Sequence, residues 1–293
     1  MNKIKNNIQD RMSVLLSTSI RQKIYSNKID RHPVRIFDAA KSMIGLNLNS
    51  PSSLIFDYLE KQKISNDFSN IEFNNQETVD TLSIYKLKES IDKSDQEECI
   101  GIIINFLKLS DGKHILEYLL ELSLKKKGES LSVIWAIYKT LEFIGYSSSL
   151  DVRNGLLIST QSLIHDQEYK KIENNTLDLD SHFNNQCFTL RELSLVGVLY
   201  EISKASFIRK EFINDSFQSF ISYFISNLSN SAVDESCELE LVSDRKELLK
   251  ILEKLKINEQ NILAINALRA YMRNCSKVNR KKVAFYISMI KAA

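Results

Sequence analysis

Histidines, cysteines and acidic side chains at helical spacing are the residues of this 293-residue chain with the means to do chemistry. His114, Glu117, Glu121 and Lys125 follow one another at intervals of three, four and four, which puts them on one face of a helix. An imidazole and a carboxylate one or two turns apart can reach a single metal ion inside a helical bundle, as di-iron bundles do with Glu and His from facing helices. The same stripe is also what a solvated helix face looks like, with Glu121 and Lys125 as an ordinary ion pair. His32 precedes Pro33 at a helix start, and His165 with Asp166 ends another helix. Each of these reads as an exposed capping group. His182 sits in a polar stretch and is assigned no role.

Cys99, Cys187, Cys237 and Cys275 lie far apart with no CxxC spacing, so zinc and dithiol motifs are not indicated. A chain kept reduced in the cytoplasm is the natural reading. The strings that mark nucleotide loops, serine hydrolases, zincins and EF-hands do not occur. The last thirty residues carry Arg269, Arg273, Lys277, Arg280, Lys281, Lys282 and Lys291. Such a cluster can meet phosphates. With Val283, Tyr286, Ile287 and Ile290 interleaved and a net charge of only +2, it reads instead as the solvated face of an amphipathic helix, and nucleic acid ranks last among partners.

The elements that must position these residues are helices. Two prolines and seven glycines are too few for the turns of a sandwich or a doubly wound sheet. The centre of the chain is a helical hairpin over residues 109–146, with Ser110 or Asp111 as first cap, a turn at Lys125–Gly128, and Gly145 as the stop. It carries the single tryptophan, Trp135, three residues from Tyr138. Further helices are predicted over 1–28, from Pro33 to Gly45, from Pro51, through Leu82–Leu87, over 95–109, 151–165, 189–208 and 212–228, and in three pieces from Arg245 to Lys291. Phe212–Leu228 is rich in Phe and Ile but keeps the i, i+3, i+4 pattern of a buried helix. Residues 166–188 and 229–244 are polar and poorly periodic, and are expected to be long loops. The expected fold is therefore all-α: a single domain over 1–293, an irregular multi-helix bundle of antiparallel hairpins. No apolar run approaches a membrane span, and the N-terminus is too polar for a signal peptide.

Three segments in order resemble the questin oxidase-like family. The first runs from His32-Pro33-Val34 through Gly45 to Tyr58. The second is His114-Ile115-Leu116 followed by Val133-Ile134-Trp135-Ala136. The third is Asn258–Leu263 with Ala267. The resemblance implies a helical fold and an oxygenase acting on an aromatic or other apolar small molecule with non-haem iron. It implies His32, His114 and Glu121 as metal ligands, with Glu121 standing where the family has a second histidine, and Trp135 and Tyr138 as lining of an apolar pocket. Gln260 and Leu263 stand where the family has a histidine and a lysine, so its ligand set is incomplete here. The alternative expectation is a non-catalytic relative that keeps the fold to bind a small molecule or a protein partner.

Overall fold

The computed structural model describes residues 2–22, 29–62, 83–170, 179–205, 210–227 and 242–293. Fourteen α-helices occupy them: α1 (Asn2–Ile20), α2 (Val34–Ile44), α3 (Ser53–Lys61), α4 (Ile84–Asp92), α5 (Gln96–Leu107), α6 (Lys113–Ser123), α7 (Glu129–Ile144), α8 (Ser149–His165), α9 (Leu179–Asn185), α10 (Leu190–Ser203), α11 (Lys210–Ser226), α12 (Arg245–Lys254), α13 (Glu259–Asn274) and α14 (Arg280–Ala292). A 3₁₀ turn, Ile29–Arg31, leads into α2. No strand occurs among the described residues, and one antiparallel bridge joins Lys126 to Glu168. The all-α expectation holds. No helix among the described residues is long and apolar enough to cross a membrane.

The helices gather into two compact units. One comprises residues 6–38 and 63–169, and the other residues 1–5, 39–62 and 170–293. Two of the division's four boundaries fall inside α1 and α2, one follows α3, and one lies in the polar stretch after α8.

In the first unit α7 is the central helix, packed on α6, α8 and the 3₁₀ turn. Its side chains are buried almost all round, from Ser130 through Tyr138 to Thr140 and Leu141. α6 is half-buried by contrast, placing Ile115, Leu116, Leu119 and Leu120 inside. The turn between them needs Gly128, whose φ of 105° is left-handed. That turn is also clamped from outside. The Lys127 amide donates to the Gln167 carbonyl at 2.8 Å, and the Lys126 ammonium meets Glu168 at 3.1 Å. Asp166 accepts from the Ser130 amide and hydroxyl at 2.9 and 2.7 Å. A carboxylate there satisfies the free donors of the α7 N-terminus. Asp166 is accordingly buried, not the exposed cap expected.

The second unit is built on α10 against α13, with α12 and α14 packed on α13. Gly197 makes the first contact possible. A Cβ there would lie 2.6 Å from the Ala267 Cα and 2.7 Å from its Cβ. Gly197→Ala should therefore lower stability by about 1–3 kcal/mol through overpacking, despite the roughly 1 kcal/mol that alanine gains as a helix former. The urea midpoint followed by circular dichroism measures it, and an unchanged or raised midpoint would contradict the contact.

Residues 166–188 are not one loop. Residues 171–178 lie outside the described residues, but α9 follows them. It is seven residues long and too polar to announce itself. Phe183 holds it in place: fully buried, its ring stacks on Tyr271 at 4.0 Å and on Phe188 at 5.6 Å. Most of the other expected loop, 229–244, falls outside the described residues. Two supposed surface cations are buried as well. Arg269 and Lys282 are each 5% exposed, so the C-terminal basic residues do not form one solvated face.

Candidate functional site

His32 is 3% exposed, and both ring nitrogens are used by the backbone. Nδ1 accepts from the Val34 amide at 3.3 Å, and Nε2 donates to the Gln22 carbonyl at 3.0 Å. The ring caps α2 from within the fold, which answers the free N–H of its first turn. Burial drives its pKa down to about 4, with Arg35 adding to the fall and the bond to Gln22 opposing it. His32 is a neutral structural imidazole with no nitrogen left for a metal, and not the exposed cap expected.

His114 is exposed in the first turn of α6, and Glu121 is half-exposed two turns on. Among the described residues no group of three or more His, Cys, Asp or Glu is placed to hold a metal ion. The ligand set His32, His114 and Glu121 is therefore not assembled. Trp135 and Tyr138 are 4% and 2% exposed. Their rings lie parallel with centroids 5.8 Å apart, and they pack as core. At the mouth of this layer the Lys113 ammonium pairs with Glu142 at 2.6 Å. It also lies 5.9 and 5.8 Å from the ring centroids of Tyr138 and Tyr146, within cation–π range.

Among the described residues of the first unit, a concave surface lies elsewhere. An open groove of about 400 Å³ runs between α1 and the start of α8, lined by Ser13, Val14, Ser17, Thr18, Arg21, Ile144, Ser148 and Asp151. One wall is a single face of α1, where Ser13 and Ser17 are four apart and Arg21 follows four residues on, just past the helix end; the end of α7 and the start of α8 form the other. Met12, Leu16 and Ile20 occupy the opposite, buried face. Asp151 is the organising group. It is 4% exposed, and its carboxylate accepts from the Ser17 hydroxyl and the Arg21 Nε, each at 2.8 Å. Its amide donates to Ser148 Oγ at 3.3 Å, the N-cap bond of α8. Arg21 is thus held by Nε while its side chain remains 30% exposed at the groove. Among the described residues no bond involves its two Nη groups.

Sequence reasoning passed over this site. Ser13, Ser17 and Arg21 carry no signal in the sequence beyond that of an ordinary polar helix face. Asp151, 130 positions from Arg21, read only as a helix start. No family model, curated protein or solved structure matches the chain, so the likeness to questin oxidase-like proteins rests on the three sequence segments alone.

Proposed function

We propose that the chain is a non-catalytic helical binding protein, and that the groove between α1 and α8 takes a small molecule bearing a carboxylate or phosphate. The carrying observation is the anchored Arg21. A guanidinium tied through Nε to a buried carboxylate is pre-oriented, and its Nη donors form the fork that suits a planar anion. The Ser13 hydroxyl and the first turn of α8 line the same groove, and a helix N-terminus favours negative charge. Val14, 66% exposed, and Ile144 offer apolar contact to the rest of such a ligand. The oxygenase expectation has less support, because His32 is committed to the backbone and the donors it would need are not gathered. A cytoplasmic setting belongs with this reading, as Cys99, Cys187 and Cys275 are all free thiols.

The test is thermal unfolding with inorganic phosphate or acetate, against sodium chloride at matched ionic strength. A ligand bound only by the native state stabilises it by about 1.4 kcal/mol at ten times Kd. That rise should appear in the wild type and vanish in Arg21→Gln. No rise with either anion at millimolar concentration in the wild type would overturn the reading.

A further inference from the structure

The second unit holds a pair of reactive groups unconnected with the groove. Cys187 lies in the short connection between α9 and α10, and Lys282 in the first turn of α14. They are 6% and 5% exposed, and Nζ stands 3.7 Å from Sγ. The ammonium also faces two aromatic rings, with the centroids of Phe285 and Tyr286 each 5.8 Å away. Among the described residues no carboxylate pairs with it. A buried lysine is ordinarily paired with an anion, because desolvating its charge alone is costly. Here the polar group offered to it is a sulfur.

The other described cysteines have the opposite setting. Burial pushes the Cys99 thiol up to about 12, and Asp95 and Glu98 add to the rise. Burial also raises the Cys275 thiol, with Asp180 beside it. Cysteines near acidic groups stay thiols and react poorly, whereas oxidation favours those in electropositive surroundings. Of the three, only Cys187 has an amine as its polar contact.

We propose that Cys187 and Lys282 form an oxidative modification site, in which peroxide converts the sulfur to a sulfenic acid and the lysine amine closes on it as a sulfenamide. In the first step the sulfur attacks one oxygen of hydrogen peroxide. The S–O bond forms, the O–O bond breaks, and the second oxygen leaves as water with the thiol proton. Sulfur loses two electrons and peroxide gains them. In the second step Nζ attacks sulfur, the S–N bond forms, and the S–OH bond breaks. The hydroxyl leaves as water with one proton from nitrogen, and the proton that made the amine an ammonium passes to solvent. Sulfenic acids condense with thiols and with backbone nitrogen in the same manner. The product ties the α9–α10 connection covalently to α14, and a thiol reductant reopens it.

The experiment exposes the reduced, full-length wild type to hydrogen peroxide, alkylates the remaining thiols, and maps the peptides by mass spectrometry. The expected result is a linked peptide joining Cys187 to Lys282, lighter than the two reduced peptides together by two hydrogens. Dithiothreitol should abolish it, and Cys99 should stay a thiol throughout. Lys282→Met should lose the linked peptide, and dimedone should then trap the sulfenic acid on Cys187. The wild-type map decides the matter even if that variant does not fold. Cys187 passing to sulfinic acid with no linked peptide, or remaining a thiol while Cys99 oxidises, would overturn the proposal.

Discussion

Arg269→Met should lower the stability of the second unit by about 3 kcal/mol, the lower end of the cost of breaking a buried ion pair. Arg269 on α13 donates through Nη2 to Glu201 on α10 and through Nε to Asn266 at 2.8 Å. The side chains are 6% and 13% exposed, so little water reaches the carboxylate once the guanidinium is gone. The loss falls on the packing of α10 against α13, the main one in that unit. Circular dichroism is the suitable readout in urea, because the single tryptophan lies in the other unit. The double variant Glu201→Leu with Arg269→Met removes both charges and should recover most of the loss, since replacing a buried pair by apolar groups is often neutral or better. A single variant within about 1 kcal/mol of the wild type would place the pair with ordinary surface salt bridges.

Arg269 also shows where sequence reasoning stops. Helix type and order were legible because local patterns determine them. The apolar spacing of Ile115, Leu119 and Leu122, with Gly128 and Gly145 as punctuation, defines the central hairpin within a residue or two of its observed ends. The Phe-rich stretch before Ser226 is helical for the same reason. What decided the rest was contact between distant positions. Lys282 sits among Arg280, Lys281 and Lys291, so any local reading puts it in water; Cys187, 95 positions away, is what it meets. α9 has no strong signal of its own and depends on Phe183 reaching Tyr271. The groove needed Arg21 and Asp151 together, and neither is conspicuous alone. The histidines misled in a related way. A His-Pro helix start carries the same letters whether the ring points to water, to a metal or back into the chain, and only the positions of Gln22 and Val34 distinguish them.

The consequence for His32 is a pH dependence of known sign. Its ordinary pKa of 6.5 applies to the unfolded chain, while burial lowers it to about 4 in the fold. Between those values the unfolded state binds a proton that the native state does not. Stability is therefore full above pH 6.5 and falls as pH drops through the window, levelling off below 4. The whole difference corresponds to about 3 kcal/mol, at roughly 1.4 kcal/mol per pH unit, and about 2 kcal/mol of it should be gone by pH 5. That point lies above the range where most carboxylates titrate, so the His32 contribution can be read apart from theirs. Trp135 fluorescence is the matching probe, since α7, which carries it, packs on the 3₁₀ turn that runs into His32. His32→Asn keeps a side-chain acceptor at the α2 N-terminus but cannot titrate. Its urea midpoint should be lower than the wild type's at pH 7 and nearly flat from there to pH 5, so the two proteins converge as the solution is acidified. Parallel curves would mean that the native ring takes up its proton as readily as the unfolded one, which a buried imidazole donating to Gln22 and accepting from Val34 cannot do.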